Sequence, residues 1–506
     1  MPISNGLKTS LFLAGVASLM AAVGCGGSGV VIPHPTGNYS NASFKGSYVY
    51  EIHGILADAN DSPYRETGVI TADGSGNITG GTDAFRSTAV SGTPIQSAVN
   101  GTYTIASDGT GQILLNSTAL GSGSQISLAV TLASTSKAAL MEADVFASGA
   151  GTAELQDPAA ISAAPSGTFV FRLHQEVQTP TFARASEVGF FTFAGGNLSA
   201  GSMDQNVLSV GLNSLGLTAG TVSAPAALGA GTGSFTDSSG ATTGFLYYIV
   251  NSGKFVMLAS NSGALGSGSA EVQTGAVGSG LAGSYAFGSR GDDVQFIAGI
   301  ATVGQFTGTG ASISGGQLDA LQDGQNYSQD VTFTGNPTTA TSNPSAQGRV
   351  QVTLSNGTPM ILWMVSPSRA FFLFNTPNNA AEDGTADLQT TTSLSAADLK
   401  GQYAIVMDGI DTSPEGLARI GTLQFDGSSK LTLVELANAS QSGTGASNPG
   451  AMAGTYQVGT GGRFTGTVSS GGNGLDLVGY GVSGSQAYML QVDPGTNTSG
   501  TIQLQQ

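Results

Sequence analysis

GSYVYEIHG (Gly46 to Gly54) decides the fold, because the chain writes it four times. It returns as GTFVFRLHQ (Gly167 to Gln175), GSYAFGSRG (Gly283 to Gly291) and GQYAIVMDG (Gly401 to Gly409). Each copy closes on a second signature: AELQ (Ala153 to Gln156), AEVQ (Ala270 to Gln273), ADLQ (Ala386 to Gln389) and IQLQ (Ile502 to Gln505). The closing glutamines stand 117, 116 and 116 residues apart. A spacing that regular marks one structural unit used four times in tandem, each large enough to bury a core of its own.

Working outward from the opening stretch, Tyr48, Tyr50 and Ile52 share one side of a strand, as do Phe169, Phe171 and Leu173, then Tyr403, Ile405 and Met407. Eight β-rich runs follow one another in the first repeat: Gly46–His53, Tyr64–Ala72, Asn77–Phe85, Val99–Ala106, Gly111–Asn116, Gln125–Ala133, Lys137–Ala143 and Gly149–Gln156. Asp73-Gly74-Ser75-Gly76 and Asp108-Gly109-Thr110-Gly111 are hairpin signals, since Asp and Gly tolerate the positive φ of tight turns. No sustained helical period appears after residue 40. Short links make neighbours antiparallel, and an even strand number lets the last pair with the first, which removes both open edges. The expectation is all-β: four tandem antiparallel domains, each a small up-and-down, lipocalin-like β-barrel of about eight strands. A β-sandwich unit is the alternative.

The sixth and seventh runs are apolar on both faces, as in Gly244 to Val250, Met360 to Val365 and Phe371 to Phe374. Such strands are buried on both sides, with core on one and a neighbouring domain on the other. The units span 44–156, 166–273, 281–389 and 399–506. Their short, small-residue links predict a string of domains with limited flexibility.

Residues 1–24 read as a lipoprotein signal peptide, with Lys8 before an apolar run from Leu11 to Met20. The run ends in Ala22-Val23-Gly24-Cys25, which resembles the bacterial lipobox, with alanine where leucine is more usual. Cys25 is the only cysteine, so no disulfide forms within the chain, and acylation is the reading that explains its place. Gly26 follows it rather than Asp, which by resemblance to lipoproteins of double-membrane bacteria implies the outer membrane. Residues 25–43 form a Gly- and Pro-bearing flexible tether.

The formal charge is −17, or −18 once residues 1–24 are removed. Such a field repels a phosphate backbone, which excludes nucleic acid as a partner. Catalytic patterns are missing: no nucleophile elbow, no Walker loop and no dinucleotide fingerprint. His53 and His174 hold the same place in repeats one and two, where Arg290 and Asp408 stand in repeats three and four. A position that swaps among His, Arg and Asp reads as a solvated strand end. An aspartate recurs with the third strand of three repeats, Asp83, Asp204 and Asp319, while the fourth offers Glu435 in a different register. These are weak metal candidates, because a calcium site needs several oxygen ligands in one loop. No metal and no cofactor are expected. The acid–glutamine pairs of the closing strands read as a structural clasp, the amide satisfying backbone groups where strands meet.

The G-[ST]-[YF] opening, the DGSGN-type hairpin, the G-T-Y-[TQ] strand (Gly101 to Thr104, Gly454 to Gln457) and the A-[ED]-[LV]-Q close together resemble the tandem Gly-rich β-repeat lipoproteins of environmental bacteria. The resemblance covers residues 44 to 505 and implies no activity. The expected role is a non-enzymatic, lipid-anchored envelope protein, a surface scaffold, adhesion or binding module with an envelope or extracellular protein or glycan partner. A carrier holding small apolar or sugar ligands in each barrel is the second reading, and an enzyme the third.

Overall fold

The computed structural model describes residues 38–506 except 91, 118–124, 179–181, 209, 294–298, 323–325, 339–342, 377–379, 392, 412–414 and 442. The signal peptide, Cys25 and most of the tether lie outside the described residues. The first repeat contains β1 (Lys45–Leu56), β2 (Pro63–Asp73), β3 (Asn77–Ser87), β4 (Ile95–Ala98), β5 (Asn100–Ile105), β6 (Thr110–Asn116), β7 (Gln125–Ser134), β8 (Lys137–Glu142) and β9 (Ala147–Leu155). Strand β1 pairs with both β2 and β9, and β2 with β3, so the sheet closes into an antiparallel up-and-down barrel. The other three repeats are closed eight-stranded barrels in sequence order. The sandwich alternative is thereby set aside.

One strand escaped the sequence reading. IQSA, now β4, is short and mostly exposed, so no buried alternation announces it; it pairs edge-on with β3 through Phe85 and Ile95.

The repeated signatures have physical reasons. Gly46, Gly167, Gly283 and Gly401 all sit at positive φ, between 107° and 129°. A Cβ on Gly46 would lie 2.7 Å from Leu155 on the closing strand. The aromatic two residues later makes the same seam in every barrel: Tyr48 pairs with Leu155, Phe169 with Val272, Tyr285 with Leu388 and Tyr403 with Leu504. Tyr48 also donates to the carbonyl of Thr135 at 2.6 Å, and Tyr285 to that of Pro367 at 2.7 Å. In the β2–β3 turn Asp73 accepts the amides of Ser75 and Asn77 at 2.6 and 3.1 Å, while Gly74 and Gly76 take φ of 83° and 107°.

Each barrel encloses its own apolar core. Aromatic rings fill them: in the second, Phe171 stacks on Phe191 at 5.0 Å and Phe169 meets Phe255 edge-on at 5.2 Å.

Four further clusters lie between barrels. Val49, Val69 and Ala84 of the first pack on Leu246, Tyr248 and Leu258 of the second. Val170 and Phe190 of the second meet Ile361, Trp363 and Phe371 of the third. Ala286 and Val303 of the third meet Val478, Tyr480 and Leu490 of the fourth. Ala418 and Ile420 of the fourth return to Ala129, Ala139 and Met141 of the first. The expected string is therefore a closed ring, and the strands apolar on both faces are those that meet a neighbour.

The closing glutamines lock this arrangement. Gln156 donates to the carbonyls of Leu228 and Ile249 in barrel two, and Gln273 to those of Gln347 and Met364 in barrel three. Gln389 reaches Gly461 and Gly481 in barrel four. Gln505 reaches back to Asp108 and Leu132 in barrel one. The clasp joins barrel to barrel rather than strand to strand. At the same seam Tyr39 donates to the carbonyl of Gln506 at 2.8 Å.

Candidate functional site

Strand alternation puts Tyr48, Tyr50 and Ile52 inside the first barrel and turns Glu51 and His53 outward. The same register turns Arg172 and His174, Gly288 and Arg290, and Val406 and Asp408 outward in the other three. Because the ring is closed, the outward faces of the four opening strands converge. All eight residues line one cavity of about 330 Å³, whose wall is completed by the closing strands of all four barrels. Small backbones such as Gly151, Gly268 and Gly500 let the strands approach it.

The inner tier of this cavity is the position that read as a solvated strand end. It is not one. His53 Nε2 lies 3.0 Å from Asp408 Oδ2 and 3.2 Å from Arg290 Nη1, and Arg290 is ion-paired with Asp408. The His53 and His174 rings stand 5.8 Å apart. His174 contacts Arg184, which donates to Asp383 Oδ2 at 2.7 Å. Ser186 donates to the same carboxylate oxygen at 2.9 Å. Arg184 and Asp383 are each 1% exposed, whereas the side chains of His53 and His174 are 31% and 25% exposed. The cavity is thus polar, charged and open to solvent over a buried ionic floor.

Burial and the charges of Arg184 and Arg65 hold the His174 imidazole well below its ordinary range, so it stays neutral and accepts from Arg184. Burial alone would raise the Asp408 carboxyl, but Arg290 and His53 outweigh it and hold the group below the usual carboxylate range. Among the described residues, the hydrogen bonds of both rings go to arginine and aspartate, not to a hydroxyl. Nothing here prepares an oxygen nucleophile in the manner of a serine–histidine pair.

The recurrent aspartates lie elsewhere and do not form one set. Asp204 and Asp319 face outward from equivalent ladder positions, opposite Val188 and Val303. Asp204 accepts two hydrogen bonds from Arg349, both 2.7 Å, and one from Trp363 Nε1 at 2.8 Å. Asp319 accepts from Arg463 at 2.7 and 2.8 Å and from Tyr480 at 2.7 Å. Asp83 points into barrel one instead, accepting from Tyr50 and Ser117 at 2.9 Å each. GGTDA is one residue shorter than GGQLDA, which slides Asp83 to the inward register, where it pairs opposite Gly68 as Glu435 does opposite Gly421. Among the described residues no cluster of His, Cys, Asp or Glu has the geometry to hold a metal ion.

No protein-family model matches this sequence, and no curated protein matches it. Several solved structures align with it, two of Transferrin Binding Protein B among them. One is a vaccine-antigen mutant of Transferrin Binding Protein B from Haemophilus parasuis Hp5, at 9% identity over 75% of this chain and 86% of that one, with a TM-score of 0.19. The other is the isotype 1 Transferrin binding protein B from serogroup B Neisseria meningitidis, at 10% identity over 73% and 84%, with a TM-score of 0.21. At scores this low the likeness carries no weight, and function must be read from the site.

Proposed function

We propose that this chain is a lipid-anchored cell-envelope protein that works without catalysis, as a rigid binding module held at the outer membrane through Cys25 and a short tether. The observation that supports it is a contrast: each barrel core is packed with its own side chains, while a cavity lined by charged side chains lies where the four barrels meet. A carrier with a ligand in every barrel would need a void where Phe171, Phe191, Phe287 and Phe425 now pack. A module that presents a surface or a central site to an extracellular protein or glycan needs only a stiff frame, which the closed ring supplies. The units 44–156, 166–273, 281–389 and 399–506 are the natural boundaries of that frame.

The test is metabolic labelling with an alkyne fatty acid followed by fractionation. Wild type should carry label and sediment with outer membranes. Cys25→Ala should carry none and leave the membrane fraction, since two or more buried acyl chains are what makes such anchoring stable. Membrane retention of the unlabelled variant would overturn the anchor.

A further inference from the structure

The outer tier of the central cavity differs from the inner one in what its charges are doing. In the inner tier every ion is matched: Arg290 with Asp408, Arg184 with Asp383. Arg369, also on the wall, is held by Glu271 and Asp387 at 2.8 and 2.7 Å. Tyr488 donates to the other oxygen of Asp387 at 2.6 Å, and it fits because Gly288 carries no Cβ. Two opposite charges are less fully matched, since Arg184 already holds Asp383 closely. Among the described residues Glu51 makes no hydrogen bond and no close ion pair, and feels Arg65 only at longer range. Arg172 approaches Asp383 only at 3.7 Å, its guanidinium rests 5.8 Å from the centre of the Phe371 ring, and its buried Nε has no hydrogen-bond partner. Both side chains line the cavity from equivalent positions on the opening strands of neighbouring barrels.

From this we infer that the central cavity binds a small zwitterion, a compact molecule bearing both a carboxylate and an ammonium group. Arg172 offers a planar donor face to the carboxylate, and Glu51 accepts from the ammonium. Because the rest of the wall is internally neutralised, a ligand with only one charge leaves the opposite wall charge unmatched in a partly desolvated site. The cavity volume lies at the lower end of small-molecule sites, which suits an amino acid or a dipeptide. The chemistry is shared by free amino acids and by the paired ends of short peptides. The inference deepens the binding-module reading and rests on it, but not on the anchor, so the two can fail separately.

The test is isothermal titration of the full mature protein in detergent with L-alanine, L-alanyl-L-alanine, acetate and ethylammonium. One zwitterion should bind saturably at one site per chain, with acetate and ethylammonium at least tenfold weaker. The tighter of the two zwitterions tells free amino acid from peptide. Arg172→Met and Glu51→Gln should each weaken that zwitterion at least tenfold with unchanged circular dichroism. Absence of binding by both zwitterions, acetate binding as tightly as either, or full affinity in both variants would overturn the inference. Should a variant fail to fold, the comparison of single-charge and zwitterionic probes on wild type decides alone.

Discussion

The four junctions of the ring share one geometry but come in two kinds. Between barrels two and three, and again between three and four, an outward aspartate is gripped by an arginine and an aromatic donor of the next barrel: Asp204 by Arg349 and Trp363, Asp319 by Arg463 and Tyr480. Ladder positions identify the corresponding residues at the junction of barrels one and two as Ala84, Ala230 and Tyr248. At the junction of four and one they are Leu436, Thr110 and Thr131. Acid and base are absent together, never singly. Elementary electrostatics explains why: a matched, bidentate pair is tolerable at a buried interface, whereas either half alone is a lone charge out of water. The glutamine clasp, which is neutral, is present at all four.

That contrast can be broken most severely at Asp204, which is fully buried. Asp204→Ala strands Arg349 and the indole N–H of Trp363, and urea titration should show a loss of about 3–5 kcal/mol. The double change Asp204→Ala with Arg349→Ala copies the alanine pair of the first junction and should recover a substantial part of that loss. A double variant as unstable as the sum of the singles would show that the two kinds of junction are not interchangeable.

A smaller effect belongs to the clasp. Gln505→Ala removes two hydrogen bonds to barrel one and should cost about 1–3 kcal/mol, mainly through the buried carbonyls left bare. Its junction lacks the charge pair, so hydrogen exchange should rise at the seam of barrels four and one more than Gln389→Ala raises it at the seam of three and four. Equal exchange in the two variants would remove the distinction between junctions.

The smallest effect is acid lability. Burial would raise the Asp319 carboxyl, but hydrogen bonds from Arg463, Tyr327 and Tyr480 outweigh it and hold the group below its ordinary range. A depressed carboxylate contributes stability that is full above the unfolded value, about pH 4, and is lost as pH falls through the folded one. Wild-type stability should therefore drop on acidification below about pH 4, and the doubly neutral Asp319→Ala, Arg463→Ala variant should drop less. An identical acid limb in both would place the sensitivity elsewhere.

The barrels were legible in the sequence and the ring was not. Strand alternation and Asp-Gly turns are local signals, and they placed β1 to β3 and β5 to β9 within a few residues. The pairing of the last strand with the first followed from parity alone, and its register, Tyr48 opposite Leu155, came with the structure. A junction, by contrast, is a match between two outer faces far apart in the chain. Its one local trace was the two-sided apolar character of strands such as Met360 to Val365, which announced a neighbour without saying which. The cavity left even less. Read one repeat at a time, His53, His174, Arg290 and Asp408 look like drift at an unconstrained position. Read around a centre, they are partners: His53 and Arg290 both reach Asp408, with the neutral His174 ring beside them. Two histidines and an arginine facing an acid across four equivalent positions were the available signal, and only closure gives it meaning. The aspartates failed in the opposite way: their common motif suggested one role, and a single missing residue in GGTDA separates Asp83 from the other two.

Closure also makes the four copies of the unit depend on one another. An open array of repeats gains or loses a member at its end and stays much the same object. Here every unit has a head that receives a glutamine and a tail that gives one, and the last tail is received by the first head, as in any head-to-tail assembly whose rotation returns to its start. A gene duplication that inserted a fifth unit would leave Gln505 short of Asp108 and Leu132, and a deletion would leave a donor and a socket facing the wrong way. The wall of the central cavity would change in both cases, since it is built around one opening and one closing strand of each of the four barrels. Copy number and cavity are thus tied together through the junctions that close the ring.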